Sequence, residues 1–303
     1  MRRHDTLPQM KPMVPLAQAT GTIRYNMTND YMFRYILQGN QKVLKGLICA
    51  LLHLHPKKIK TIKITNPINL SENIDGKEFI LDINILLNDD TQINLEMQVV
   101  NKHNWPERSL SYLCRSFDQL YHGQTYEEAL PVYHIGFLDY TLFPEHKEFY
   151  AVHKLMNVKS HHIFSDKFTL SVVSLNQIEL ATEEDKAYGL DYWARLFKAK
   201  TWEELKMLAE HNEYLQAAAD SVYEANADDV IQQRCRAREE YERHERTIKR
   251  DFERLQNAYA AVQEEKSALQ DKNQTLNETT IKQQAYIQEL EEKLKKANLM
   301  NEY

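Results

Sequence analysis

Two stretches of the chain place an apolar residue at every second position. Phe79, Leu81, Ile83, Ile85 and Leu87 form the first series, and Ile93, Leu95, Met97 and Val99 the second. A period of two is that of a β-strand with one buried face, so the pattern predicts two strands within residues 78–99. Asn88, Asp89 and Asp90 lie between them and favour a turn. The other face carries Asp82, Asn84, Asn94, Glu96 and Gln98, all at even numbers. Opposed residues of an antiparallel pair point to the same side, so the loop must hold an odd number of residues or a bulge. A loop of Asn88, Asp89 and Asp90 pairs Leu87 with Thr91. It then sets Asp82 opposite Glu96, with Cβ atoms roughly 5 Å apart.

The pattern divides the rest of the chain into three regions. Residues 1–24 contain Pro8, Pro12 and Pro15 with little periodicity, and are expected to be a flexible N-terminal arm. Residues 25–225 alternate helical and strand patterns, as a mixed α/β domain does. After Gly189 there is no Gly or Pro, so residues 226–303 are expected to be a helical extension. A heptad register with a at Phe252 and d at Leu255 runs unbroken to Ala297. Its seam is apolar except at Lys266, Asn273, Thr280 and Gln283. This predicts a coiled coil, and with Asn273 at an a position a homodimer through residues 252–297. The competing assignment is one charged helix packed back on the domain. The Arg- and Glu-rich segment from Arg234 to Arg254 reads as solvated helix with i,i+4 pairs rather than a basic stripe for nucleic acid.

Composition narrows the classes. Of 303 residues 43% are hydrophobic and 27% charged, the mix of a soluble globular protein with a charged helical region. No run of about 18 apolar residues exists, and Met1 to Thr20 lacks a signal-peptide core, so a cytoplasmic protein without a membrane span is expected. Cys49, Cys114 and Cys235 are too far apart for a zinc spacing or a disulfide framework. The pairs His53/His55 and His161/His162 lack further ligands at zinc spacing. The net charge of −6 argues mildly against nucleic acid, although a local basic face is what binds DNA.

The chemistry concentrates on the even face of the predicted hairpin. Two carboxylates directly opposed repel each other. A divalent cation such as Mg²⁺, or Mn²⁺ in its place, would compensate them, and Gln98 two residues beyond Glu96 would orient water or a phosphate oxygen. The same face also reads as a plain hairpin with one wet, polar side. After the hairpin, Pro106 suits a helix N-terminus. Leu110, Leu113, Phe117 and Leu120 form one apolar stripe there, with Arg108, Tyr112, Arg115 and Gln119 on another face. That second face is either phosphate-binding or ordinary exposed helix. Asp30 opens the helix DYMFRYILQ, where an acidic residue stabilises the helix end. Lys57, Lys58, Lys60 and Lys63 form a basic patch best read as a solvated turn and strand edge.

The segment LDINILLNDDTQINLEMQ, an Asp followed fourteen residues later by Glu-x-Gln, resembles the PD-(D/E)XK nuclease family of transposases and recombination-promoting nucleases. Asn29 to Arg34, the Arg108-to-Tyr112 helix, Gly123 to Tyr126, the strand PVYHIGF and the stretch around Ile178-Glu179-Leu180 with Trp193 resemble its other motifs, so the likeness covers about residues 25–225. The resemblance implies an α/β, restriction-endonuclease-like core, Mg²⁺-dependent DNA cleavage and a link to DNA recombination. Asp82, Glu96 and Gln98 would be catalytic. Asp82 and Glu96, with Asp30, would bind the metal, and Arg108, Tyr112 and Arg115 the DNA phosphates. Two positions depart from the superfamily pattern: Leu81 stands where a Pro precedes the Asp, and Gln98 where the pattern ends in Lys. Gln occurs in this family, but it cannot act as a base. The rivals are a non-catalytic nucleic-acid or protein-binding module dimerised by its coiled coil, and a transposase catalysing strand transfer. The absence of a separate DNA-binding module weakens the second.

Overall fold

The computed structural model describes residues 15–66, 82–120 and 123–300. Phe79 and Leu81, the start of the first predicted strand, lie outside them. Helix α1 (Asp30–Gly39) begins where the Asn29 side chain accepts the Met32 N–H, 3.2 Å away. Asn40 then ends α1 and caps α2 (Gln41–Leu51), so one residue turns the chain between two helices. Strands β1 (Ile62–Ile64), β2 (Ile83–Leu87) and β3 (Thr91–Gln98) form an antiparallel meander. The turn between β2 and β3 is the three-residue loop that the alternation requires, and Leu87 pairs with Thr91. Asn88 and Asp89 take positive φ, which their short polar side chains tolerate.

Helix α3 (Trp105–Phe117) crosses from β3 to β4 (Val132–Leu138), which lies parallel to β3. β5 (Tyr150–Lys154) and β6 (Phe168–Ser174) complete a six-stranded sheet in the order β1-β2-β3-β4-β6-β5. Four helices follow: α4 (Glu183–Ala187), α5 (Leu190–Lys198), α6 (Trp202–Ala209) and α7 (Glu213–Ala227). The odd-numbered side chains of β2, β3 and β4 join α1, α2, α5 and α7 in the main apolar core. α3 lies on the even-numbered side, where Trp105 packs with Leu138 and Val172.

The buried face of α3 differs from the predicted stripe. Trp105, Ser109 and Leu113 are buried, whereas Leu110 is 48% exposed. Gly136 explains the choice: a Cβ there would lie 2.0 Å from Trp105 Cζ2, so the indole occupies the space above the glycine. Residues 15–24 lie against the domain; Lys206 Nζ donates to Ala17 O and Ala19 O, and Thr22 bridges to Thr201.

Helix α8 runs Asp229–Met300. The chain divides into two compact units, residues 1–242 and 243–303. The first turns of α8 belong to the first unit, because Ile231 and Cys235 are buried in its core. In the second unit Phe252, Leu255, Tyr259, Val262, Leu269, Leu276, Ile287, Leu290 and Leu294 are exposed on the single chain. Among the described residues no helix is long and apolar enough to cross a membrane.

Candidate active site

The β2–β3 register pairs Ile83 with Leu95 and Asn84 with Asn94. Asp82 immediately precedes this ladder, at the position that continues it opposite Glu96. Its carboxylate is buried and accepts the Asn94 Nδ2–H at 2.7 Å; the same amide also donates to Asn84 Oδ1. The backbone of Asp82 is held as well. The buried Arg34 guanidinium of α1 donates to Asp82 O and Asn66 O, and to Gln38 Oε1 at 3.1 Å. Asn66 Nδ2 donates to Asp82 O at 3.1 Å, and Asn66 Oδ1 accepts the Asn84 N–H at 2.8 Å. Burial lowers the Arg34 pKa to about 10, opposed by Asp82, so Arg34 stays cationic at neutral pH.

Glu96 sits in the middle of this face. Its Oε1 pairs with Arg108 Nη2 at 2.7 Å. Its Oε2 is buried without a hydrogen-bond partner among the described residues, 3.9 Å from His134 Nε2. Burial pushes the Glu96 carboxyl up to about 7 against the opposing Arg108 cation, and the Asp82 charge adds to the rise. His134 is fully buried on β4, at the register position of Asn94. Its ring lies parallel to Tyr112, 5.9 Å away, and neither ring nitrogen has a hydrogen-bond partner among the described residues. Burial lowers its pKa to about 3, so the imidazole is neutral. Gln98, also buried, donates from Nε2 to Tyr140 OH at 2.8 Å and to Val100 O at 3.0 Å.

The residues expected from the sequence therefore fall into two groups. Asp82, Glu96, Gln98, Arg108 and Tyr112 share one locality. Arg108 and Arg115 both lie against the Tyr112 ring, at 5.3 and 5.9 Å from its centroid. Arg115 and Tyr112 line an open cleft of about 660 Å³ together with Asp82, Asn84 and Asn94. Asp30 is engaged elsewhere: Arg238 of α8 grips both its carboxylate oxygens, with Nε at 2.8 and 2.6 Å. Burial nevertheless raises the Asp30 pKa against that partner, and its charge reaches Glu96.

His134, Tyr140, Arg34 and Asn66 had not been expected at the site. His134 is the one imidazole in the otherwise apolar and aromatic segment PVYHIGF, a signal present in the sequence. Arg34 closes the Asn29-to-Arg34 segment that resembles a family motif, whereas Tyr140 and Asn66 have no local signature.

Hard divalent cations take oxygen donors. Glu96 Oε2, Gln98 Oε1 and Asn94 Oδ1 are buried oxygens without hydrogen-bond partners among the described residues, and Asn94 bonds to the Asp82 carboxylate. Uncompensated buried acceptors of this kind are costly, and a cation with its waters satisfies them. The donor set thus fits such an ion. It is an open set, since among the described residues no three Asp, Glu, His or Cys side chains converge on one point.

A family model described as PD-(D/E)XK nuclease family transposase matches residues 27–251. Neither the comparison with curated proteins nor that with solved structures gives a match.

Proposed function

The chain belongs to the PD-(D/E)XK nuclease transposase family, and from that premise we propose that it is a Mg²⁺-dependent DNA endonuclease that hydrolyses phosphodiester bonds. The observation that carries this reading is the buried face that holds Asp82, Glu96 and Gln98: Glu96 Oε2, Gln98 Oε1 and Asn94 Oδ1 have no hydrogen-bond partners among the described residues, and Asp82 and Asn94 line the open cleft. Asp82 and Glu96 would hold the cation, with Mn²⁺ able to replace Mg²⁺; Asp30 could join them only by giving up Arg238. Bound there, the ion supplies Lewis-acid polarisation of the scissile phosphate and neutralises developing charge. Asn94 fixes the Asp82 carboxylate, and Arg34 and Asn66 fix the backbone that carries it. Arg108 holds Glu96 in place and opposes its protonation. Arg115 and Tyr112, at the cleft, are placed to meet DNA phosphates through a forked cation and a phenol. Gln98 takes up no proton; it would act as a neutral amide beside the two carboxylates.

A role in DNA recombination is part of the same proposal. Homodimerisation through residues 252–297 belongs to the same proposal. A second copy would bury the exposed seam from Phe252 to Leu294, and two nuclease domains suit the cutting of both strands.

The test is nicking of supercoiled plasmid by the full chain in Mg²⁺ or Mn²⁺, beside Asp82→Ala and Glu96→Ala. Cleavage by the wild type is expected. Each substitution should lower the rate on the order of 1,000-fold, the scale of several kcal/mol of lost charge stabilisation. Equal inertness of all three proteins, with no uptake of either metal, would replace this reading with that of a non-catalytic binding module.

A further inference from the structure

An amide side chain offers two different ends, two N–H donors and one carbonyl oxygen. The surroundings of Gln98 discriminate between them. One neighbour is Val100 O, 3.0 Å from Nε2. A main-chain carbonyl only accepts, so a flipped amide would set two carbonyl oxygens against each other. The second neighbour is Tyr140 OH, which accepts at 2.8 Å. Both N–H groups are thereby used, and neither is left for a phosphate. The end that remains is Oε1, buried and without a partner among the described residues. Tyr140 is itself anchored. It lies two residues beyond the end of β4 and packs against the group formed by Trp105, Leu138 and Val172.

We propose that Gln98 works through Oε1, as an oxygen donor to the divalent cation, and that Tyr140 is the positioning residue that, with the Val100 carbonyl, holds the amide in this sense. The proposal rests on the metal-site reading above and specifies one ligand of it. It also accounts for Gln at a position where the superfamily pattern has Lys. An ammonium there would face the Val100 carbonyl as a donor, but would bring no oxygen to a cation.

The test is Mn²⁺ binding to the full chain, followed by electron paramagnetic resonance of free Mn²⁺, with melting temperatures taken in parallel. Gln98→Lys should weaken Mn²⁺ affinity at least about tenfold. Gln98→Glu, which keeps an oxygen and loses the N–H groups, should bind at least as tightly as the wild type. Tyr140→Phe should weaken binding by about tenfold at an unchanged melting temperature, the low end for an outer partner of a ligand. Combined with Gln98→Glu, the same Tyr140→Phe change should have no effect, since no amide is left to orient. A purely structural role for Tyr140 would not depend on residue 98 in this way. The proposal is overturned, with the metal site intact, if Gln98→Lys and Tyr140→Phe bind Mn²⁺ like the wild type while Glu96→Ala does not. If the wild type binds no Mn²⁺ at all, the metal-site reading fails and takes this proposal with it.

Discussion

Gly136 and Phe137 are neighbours on β4, yet they belong to opposite sides of the sheet with different chemistry. Phe137 faces the helices. Its ring lies 5.3 Å from Phe33 and 5.4 Å from Phe197, tilted against each, as aromatic rings in a dense core do. Gly136 faces α3, at the register position of Glu96. Around it Asn94, Glu96 and His134 are as deeply buried as Phe137 is, at 2%, 6% and 0% exposure. The two sides therefore do not differ in exclusion of water. They differ in compensation: the apolar side satisfies itself by packing, while the polar side keeps acceptors and ring nitrogens without partners among the described residues. Proteins tolerate such local inconsistency mainly where function requires it.

The contrast can be tested from each side in turn. Phe137→Ala removes one of three mutually packed rings and leaves a cavity, so unfolding free energy should fall by about 3–5 kcal/mol in a urea titration. Gly136→Ala adds a single carbon on the other side, in space that Trp105 occupies. A loss of about 1–3 kcal/mol is expected, with a shift in tryptophan fluorescence as α3 is pushed outward. A smaller loss than 1 kcal/mol would mean that α3 is loosely seated.

Glu96→Gln should act with the opposite sign and only over part of the pH range. The folded-state pKa of Glu96 lies near 7, above its ordinary value, so the native protein holds a proton that the unfolded chain releases. Below the ordinary value both states are protonated and no cost arises. As pH rises toward 7, the wild type without divalent cations should lose stability relative to Glu96→Gln, and the difference should level off above 7. The expected difference is about 3 kcal/mol once Glu96 is ionised, measured as melting temperature against pH. Added Mg²⁺ should shrink it. A pH-independent difference would show that Glu96 is already compensated, which would remove the main contrast between the two sides.

Much of the hairpin was legible in advance. Strict alternation identified β3 and the described part of β2. The even numbering of the polar face required an odd loop, which led directly to Leu87 opposite Thr91. The face of α3 was not legible in the same way. Leu110, Leu113, Phe117 and Leu120 make as good a helical stripe as Trp105, Ser109 and Leu113, since both share Leu113 and diverge by a fraction of a turn. The missing Cβ of Gly136 decided between them by admitting the Trp105 ring, and periodicity within α3 carries no information about that glycine.

What the sequence alone determined is what depends on near neighbours along the chain. This covers the two strands with their turn, the capped helices, the breaker-free C-terminal segment, and the placing of Asp82, Glu96 and Gln98 on one face. Only the tertiary structure decided which polar atoms on that face would find partners. Arg34 reaches Asp82 from 48 positions away, Tyr140 meets Gln98 from 42, and Arg238 grips Asp30 from 208. Short-range periodicity encodes which way a side chain points. It does not encode what another segment brings to meet it, and the candidate site consists largely of such meetings.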